Sequence, residues 1–211
     1  DGGNTWFEVD GANRPQAADL EGVGSTMSAD GTIHILHQTS DSVYYHAFHT
    51  ADHAAAPDRW AVDSEVIAEP VEPPTQVADI VVRPDGSLVG AYASGDRIHY
   101  QIRSPEGVWS SPVAIDADDP AGFTNPSLAA GADGNVNIAY KRFDGTGWFR
   151  QLLPDDSLTP RASFADNLGT AEDEHMAILP LVHLPDRATT VTVFRESDGY
   201  LYERHRSSEG Q

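Results

Sequence analysis

The chain contains no cysteine, and only one of its 211 residues, Lys141, is lysine. The first absence excludes disulfides and thiol chemistry and leaves the redox compartment unread. The second belongs to a wider shortage of positive charge: 13 basic residues stand against 33 acidic ones, a formal net charge of −20. No basic patch is present to displace the counterions of a nucleic acid, which excludes nucleic acid as a partner. No stretch approaches the ~20 apolar residues of a membrane-spanning helix. The histidines lack metal-ligand spacing, and the acidic stretch 116–119 lacks the spacing and terminal glutamate of a calcium loop. No metal and no other cofactor is therefore expected, and Asp116, Asp118 and Asp119 read as solvated loop. Acidic charge spread through the loops, with almost no lysine, is the composition of a protein adapted to salt, where self-repulsion is screened.

What the chain does have is turns: 18 glycines and 14 prolines, with 39% hydrophobic residues, enough to bury one core. Residues 76–115 show the pattern most clearly. Four short runs, 76–83, 87–92, 97–103 and 108–115, are separated by Pro84-Asp85-Gly86, Ser94-Gly95-Asp96 and Pro105-Glu106-Gly107. The runs are β-branched or alternating, and Asp-Gly supplies the positive-φ positions of a tight hairpin, so the segment reads as a four-stranded antiparallel meander. Similar units precede and follow it. Their third-strand aromatics Tyr45, Tyr100, Phe149 and Tyr202 recur at roughly 50 residues, close to the blade period of β-propellers. The expectation is an all-β fold, a β-propeller of four-stranded antiparallel blades with about four blades in this chain, at 20–68, 69–116, 117–166 and 167–206. The proline-rich or acidic segments 69–75, 116–125 and 166–174 become the crossings between blades, all on one face of the disc. The alanine-rich stretch 52–58 reads as an exposed loop, and the small residues of 22–29 suit an innermost strand.

Residues 1–6 read DGGNTW, and Asp1, Gly3, Thr5 and Trp6 fit the tail of the pattern Ser-x-Asp-x-Gly-x-Thr-Trp. Together with the repeated meander, this resembles the sialidase-like propellers with BNR, or Asp-box, repeats. The resemblance covers the whole chain as a repeat but only residues 1–6 as a motif. It implies that the box is a turn between the third and fourth strands of a blade, with no catalytic role. It also implies an extracellular or cell-surface protein that acts on, or binds, a glycan or polysaccharide, with an acidic glycan expected. Strand 6–10 then has no partners upstream, and strand 200–205 lacks a fourth strand after it. Two expectations follow. Either 6–10 pairs with 200–205 and closes a four-bladed ring, or the chain is a piece of a larger propeller.

Superposing the repeats places His37, Tyr92, Tyr140 and Phe194 at one position near the end of each second strand, followed by Gln38, Ala93, Lys141 and Arg195, with Arg142 one further on. Such a ring around one opening suits sugar, since aromatic faces stack on pyranose rings and cations pair with carboxylates. The expected catalytic pair is His37 as base and Tyr92 as acid, the types used by some propeller-fold polysaccharide lyases. Tyr140, Lys141, Arg142, His175 and Arg195 are the expected substrate contacts. A sialidase-like exo-glycosidase is the leading function implied by the resemblance. The alternatives are a lyase working through the His/Tyr pair and a non-catalytic glycan- or protein-binding propeller. The Phe-Arg-Ile-Pro motif of sialidases is absent and their arginine triad is not placed residue by residue, so no sialidase catalytic residue is carried over. The aromatics also fit a simpler role, packing between blades.

Overall fold

The computed structural model describes residues 22–56, 59–73, 78–117, 119, 122–168, 181–184, 189–195 and 201–207. The expected Asp-box at 1–6, the strand at 6–10 and His175 lie outside them. Four antiparallel sheets follow one another along the chain. The first holds β1 (Gly22–Met27), β2 (Thr32–Gln38), β3 (Val43–His49) and β4 (Val62–Ala68), and the second β5 (Ala78–Val82), β6 (Leu88–Ser94), β7 (Arg97–Arg103) and β8 (Val113–Ile115). The third holds β9 (Phe123–Ala130), β10 (Val136–Arg142), β11 (Gly147–Leu152) and β12 (Ala162–Ala165). The described part of the fourth is β13 (Leu181–Leu184), β14 (Thr189–Arg195) and β15 (Leu201–Ser207). Each strand pairs with its sequence neighbour, so every sheet is a simple meander. The first strands β1, β5, β9 and β13 lie side by side. This is the arrangement of β-propeller blades. The stretch expected as loop after β3 instead opens as a short helix, α1 (Thr50–Ala55), with the His49 ring accepting from Ala51 N–H at its start.

One turn design recurs. At 28–32, 83–87, 131–135 and 142–146 the fourth residue is glycine at φ 89, 86, 84 and 92°. It donates back to the first residue, while the first residue's N–H bonds the fifth residue's carbonyl at 2.8–2.9 Å. This is a type I turn closed by a left-handed residue, the commonest three-residue hairpin. Only the glycine takes positive φ. The aspartate before it contributes its carboxylate, which accepts the N–H two residues on, as in Asp30 to Thr32 and Asp85 to Ser87, both 2.9 Å. The Asp30 carboxyl is held down at about 2 by its bonds from Ser28 and Thr32. Among the described residues Asp30, Asp85, Asp133, Asp144 and Asp155 serve turns in this way. In the second and third sheets the third-to-fourth-strand turns repeat the design, with Gly107 at φ 93° and Asp156 at φ 64°. Asp156 also receives the buried Arg83 guanidinium at 2.7 Å, which links the second and third sheets at this end of the molecule.

The opposite end carries the crossings. Val71 donates to Asp41 O at 2.9 Å, Glu72 to Ser94 Oγ at 2.9 Å, and Leu168 to Gly145 O at 2.7 Å. Crossing segments and second-to-third-strand turns therefore share one face. The core lies in the clefts between sheets. Leu36, Val43 and Tyr45 of the first sheet meet Ile80, Leu88 and Tyr92 of the second. On the second sheet's other side Val89, Ile98 and Tyr100 meet Leu128, Ile138 and Tyr140 of the third. At the axis the strands come close: a Cβ on Gly24 of β1 would lie 2.5 Å from Asp79 Cα of β5, so only glycine fits. One expectation needs correction. Tyr202 does not share the position of Tyr45, Tyr100 and Phe149. It pairs with Phe194 and faces back towards Ala139 of the third sheet and Leu168 of the crossing that follows it. A one-residue offset in a strand exchanges its faces.

Candidate functional site in the clefts between sheets

Strand pairing gives each cleft the same scaffold. In the second sheet Tyr92 on β6 lies opposite His99 on β7, with Gln101 two residues on; in the third, Tyr140 on β10 lies opposite Trp148 on β11, followed by Arg150. The outer strand of the preceding sheet ends beside them. Ala68 pairs with Val43 and Ile115 with Ile98, so the next residues, Glu69 and Asp116, occupy equivalent places at the start of a crossing.

In the first cleft this scaffold leaves a cavity of about 310 Å³ on the crossing face, lined by Ile67, Ala68, Glu69, Pro70, Val71, Tyr92, Ser94, His99 and Pro112. Tyr92 and His99 stack with ring centroids 5.7 Å apart. Tyr92 donates its hydroxyl proton to Gln101 Oε1 at 3.0 Å, and the Gln101 amide donates to Ser110 O at 2.8 Å and Ile67 O at 3.2 Å. Burial raises the Tyr92 hydroxyl far above its ordinary value. Burial lowers the His99 ring, with Arg97 adding to the effect, and its buried Nδ1 has no hydrogen-bond partner. The Glu69 side of the cavity is exposed. Apolar walls, a stacked aromatic pair and a few directed polar groups are the ordinary make-up of a small-molecule site.

The second cleft is filled by charge. Tyr140 donates to Asp116 Oδ2 at 2.5 Å, and Arg150 Nη2 meets Asp116 Oδ1 at 2.6 Å. Arg161 Nη1 lies 3.8 Å from Asp116 and 2.5 Å from Asp119, while Arg142 bridges Asp119 at 3.5 Å and Asp144 at 3.1 Å. Arg97 donates to the backbone carbonyls of Asp116 and Asp119. The Arg161 guanidinium also sits 4.7 Å over the Trp148 ring. The Tyr140 hydroxyl is raised by burial first and by its bond to Asp116 second. Asp116 and Asp119 are thus buried ion-pair partners, which corrects the expectation of a solvated loop. The expectation failed because it took the acids alone, without the arginines the third sheet brings to them.

Of the expected catalytic pair, Tyr92 lines the first cleft, but His37 does not. Alternation along β2 turns Leu36 and Gln38 towards the second sheet and His37 to the other face. There His37 stacks on Tyr44 and His46 with centroids 5.0 and 4.8 Å away. The Asp63 carbonyl can only accept, so His46 Nδ1 carries a proton, and His46 Nε2 lies 2.7 Å from His37 Nδ1. Burial, then the neighbouring His46, lowers the His37 ring to about 4. The first sheet separates the two residues, so they do not converge. Tyr140 is fully buried between sheets, and Lys141 is buried at 2% exposure on the alternate face of β10. Arg142 is tied to Asp119 and Asp144. Arg195 ends β14 opposite Leu201.

Sequence reasoning passed over Glu69, His99, Gln101, Arg150, Arg161 and Asp79. The first five were within reach. The superposition applied to second strands also aligns third strands, and would have set Gln101 against Arg150. Asp79 stands on the innermost strand β5, where Oδ1 accepts Ile80 N–H at 2.8 Å and Oδ2 accepts Leu128 N–H of β9 at 2.7 Å. Burial pushes its carboxyl up from 3.8 to about 6, against the two backbone bonds that lower it. Among the described residues no group of three or more His, Cys, Asp and Glu could hold a metal ion. No helix among them is long and apolar enough to cross a membrane.

No protein-family model matches the chain, and no curated protein matches it significantly. Solved structures do. The catalytic domain of the Coprinopsis cinerea GH62 α-L-arabinofuranosidase aligns with 92% of this chain and 68% of its own length, at 11% identity and a TM-score of 0.52. The Aleuria aurantia lectin in complex with α-methyl-L-fucoside aligns with 89% of this chain and 58% of its own, at 11% identity and a TM-score of 0.59. The NanB sialidase of Streptococcus pneumoniae aligns with 88% of this chain at 15% identity and a TM-score of 0.58, and this chain spans 30% of it. At these identities the likeness is one of fold: four antiparallel sheets in the β-propeller arrangement these proteins share, a sialidase among them.

Proposed function

We propose that this chain is a carbohydrate-binding β-propeller whose site is the cavity of the first cleft, and that its ligand is an uncharged sugar. One observation carries the reading: the 310 Å³ cavity offers Tyr92 and His99 as a stacked pair, Ser94 and Glu69 as polar groups, and apolar walls. Sugars present hydroxyls that accept and donate, and C–H faces that pack on apolar surface. The acidic-glycan and exo-sialidase readings require arginines free to meet a substrate carboxylate. Here Arg142, Arg150 and Arg161 already hold Asp116, Asp119 and Asp144, which favours a neutral ligand. Similar structures include both a lectin and glycosidases, so fold alone does not divide binding from hydrolysis. The reading keeps the four-blade division, the Asp-box at residues 1–6 and an extracellular or cell-surface location as parts of the proposal.

A second reading, a glycosidase, is favoured by Asp79, a carboxyl at about 6 on an innermost strand. Titration of the protein with L-fucose, L-arabinose and D-mannose, against glucuronate and N-acetylneuraminate, tests the main proposal. The expected result is binding of at least one neutral sugar, weakened roughly tenfold or more by Tyr92→Ala or Glu69→Ala, with folding checked. Binding of the acidic sugars alone, or binding indifferent to both substitutions, would sink it. Release of 4-nitrophenol from aryl glycosides, lost in Asp79→Asn, would establish the second reading instead.

A further inference from the structure

The two clefts pose the same structural question and answer it differently. At equivalent places stand Glu69 and Asp116 at the start of a crossing, Tyr92 and Tyr140 on the second strand, and Gln101 and Arg150 on the third. In the first cleft Tyr92 bonds Gln101 directly, Glu69 is exposed, and the space between is a cavity. In the second, the Asp116 carboxylate occupies that space, 2% exposed, and joins the Tyr140 hydroxyl to the Arg150 guanidinium. Asp116 reaches there with its backbone at φ 51°, an uncommon conformation for a residue with a side chain. A guanidinium and a phenol 2.5–2.6 Å from the two oxygens of one carboxylate make a built anion site.

We propose that the second cleft is a carboxylate-binding position occupied by the chain's own Asp116, and that the third-strand residue, Gln101 or Arg150, selects the charge of what each cleft accepts. The physical reason is satisfaction. Gln101 closes the Tyr92 hydroxyl's hydrogen bond and spends its own donors on Ile67 and Ser110 carbonyls, so the Tyr92 hydroxyl needs no charge beside it. Arg150 in the same place is a cation with its side chain only 20% exposed, which favours an anion beside it. This rests on the proposed function only for the first cleft; for the second it stands on the ion pairs alone.

The test removes the internal occupant. Asp116→Gly suits the left-handed backbone and opens the space next to Arg150. Its Tm should fall by roughly 10 °C. Sodium acetate at ten times its Kd should then raise the Tm by about 3–6 °C more than sodium chloride of equal ionic strength. The wild type should show no such difference, and Asp116→Gly/Arg150→Gln should lose it. If Asp116→Gly does not fold in buffer, refolding yield in acetate against chloride gives the same reading. Equal responses to acetate and chloride would overturn the carboxylate position. In Gln101→Arg the first cleft should acquire an acetate-specific rise in Tm and lose neutral-sugar binding; no acetate response there would overturn the selecting role. A wild type that binds no sugar, with Asp116→Gly still rescued by acetate, would refute the proposed function and leave the carboxylate position standing.

Discussion

The first and second clefts share backbone, register and a buried tyrosine, yet one is a cavity and the other a closed ionic lattice. Three substitutions account for the difference: Glu69 against Asp116, His99 against Trp148, and Gln101 against Arg150. In the first cleft the Tyr92 hydroxyl is satisfied by a neutral partner, Gln101, and Pro70 and Val71 cover the crossing with apolar surface. In the second, each charge calls for the next, from Tyr140 through Asp116 and Arg150 to Arg161, Asp119 and Arg142. The comparison teaches that in a repeated fold the scaffold offers the same place several times. Whether a place becomes a site or a structural joint depends on the few side chains that line it.

The sharpest way to break this comparison is to remove one base residue from each cleft. Arg150→Gln leaves the buried Asp116 with only the more distant Arg161, 3.8 Å away, and should cost about 3–5 kcal/mol. Gln101→Leu removes a neutral partner of Tyr92 and should cost about 1–3 kcal/mol. Urea unfolding of both variants compares them, and equal losses would mean that the ion pairs are no more structural than the neutral hydrogen bonds. The next effect concerns Asp79, between the two clefts at the axis. Its folded value of about 6 lies above the ordinary 3.8, so the fold favours the protonated form. That contribution is complete below about pH 4 and is lost as pH rises towards 6. It amounts to roughly 3 kcal/mol at most. Unfolding of wild type and Asp79→Asn between pH 4 and 7 should differ in slope over that window and run parallel above it. Parallel curves throughout would show that Asp79 is not held protonated. The smallest effect is that of salt. Screening of the −20 net charge should raise the Tm by a few degrees between low salt and 1 M KCl. The increment should be similar in Arg150→Gln, because the buried network is screened little. A Tm that falls with salt would remove the adaptation reading.

The repeat, the strand order and the face carrying the crossings were legible before any coordinates, for a local reason. Asp-Gly turns at fixed offsets and two-residue alternation are written in adjacent residues, and the structure uses the same turn at 28–32, 83–87, 131–135 and 142–146. The equivalence of His37, Tyr92 and Tyr140 was also readable, since each follows its turn glycine by the same interval. The site read from it was only partly so. Tyr92 lines a cavity, Tyr140 is sealed between sheets, and His37 faces away from both.

By itself, then, the sequence determined which segments pair and which residues share a level, because hairpins are short-range objects. Tertiary structure decided what meets across a cleft, because those partners come from different sheets. Asp116 and Arg150 are joined only when the third sheet packs on the end of the second, and burial then turns an acidic loop into the anchor of four arginines. The same packing raised the Asp79 carboxyl to about 6 and lowered the His37 ring to about 4. Desolvation depends on what closes over a group, and no neighbour in the chain announces it.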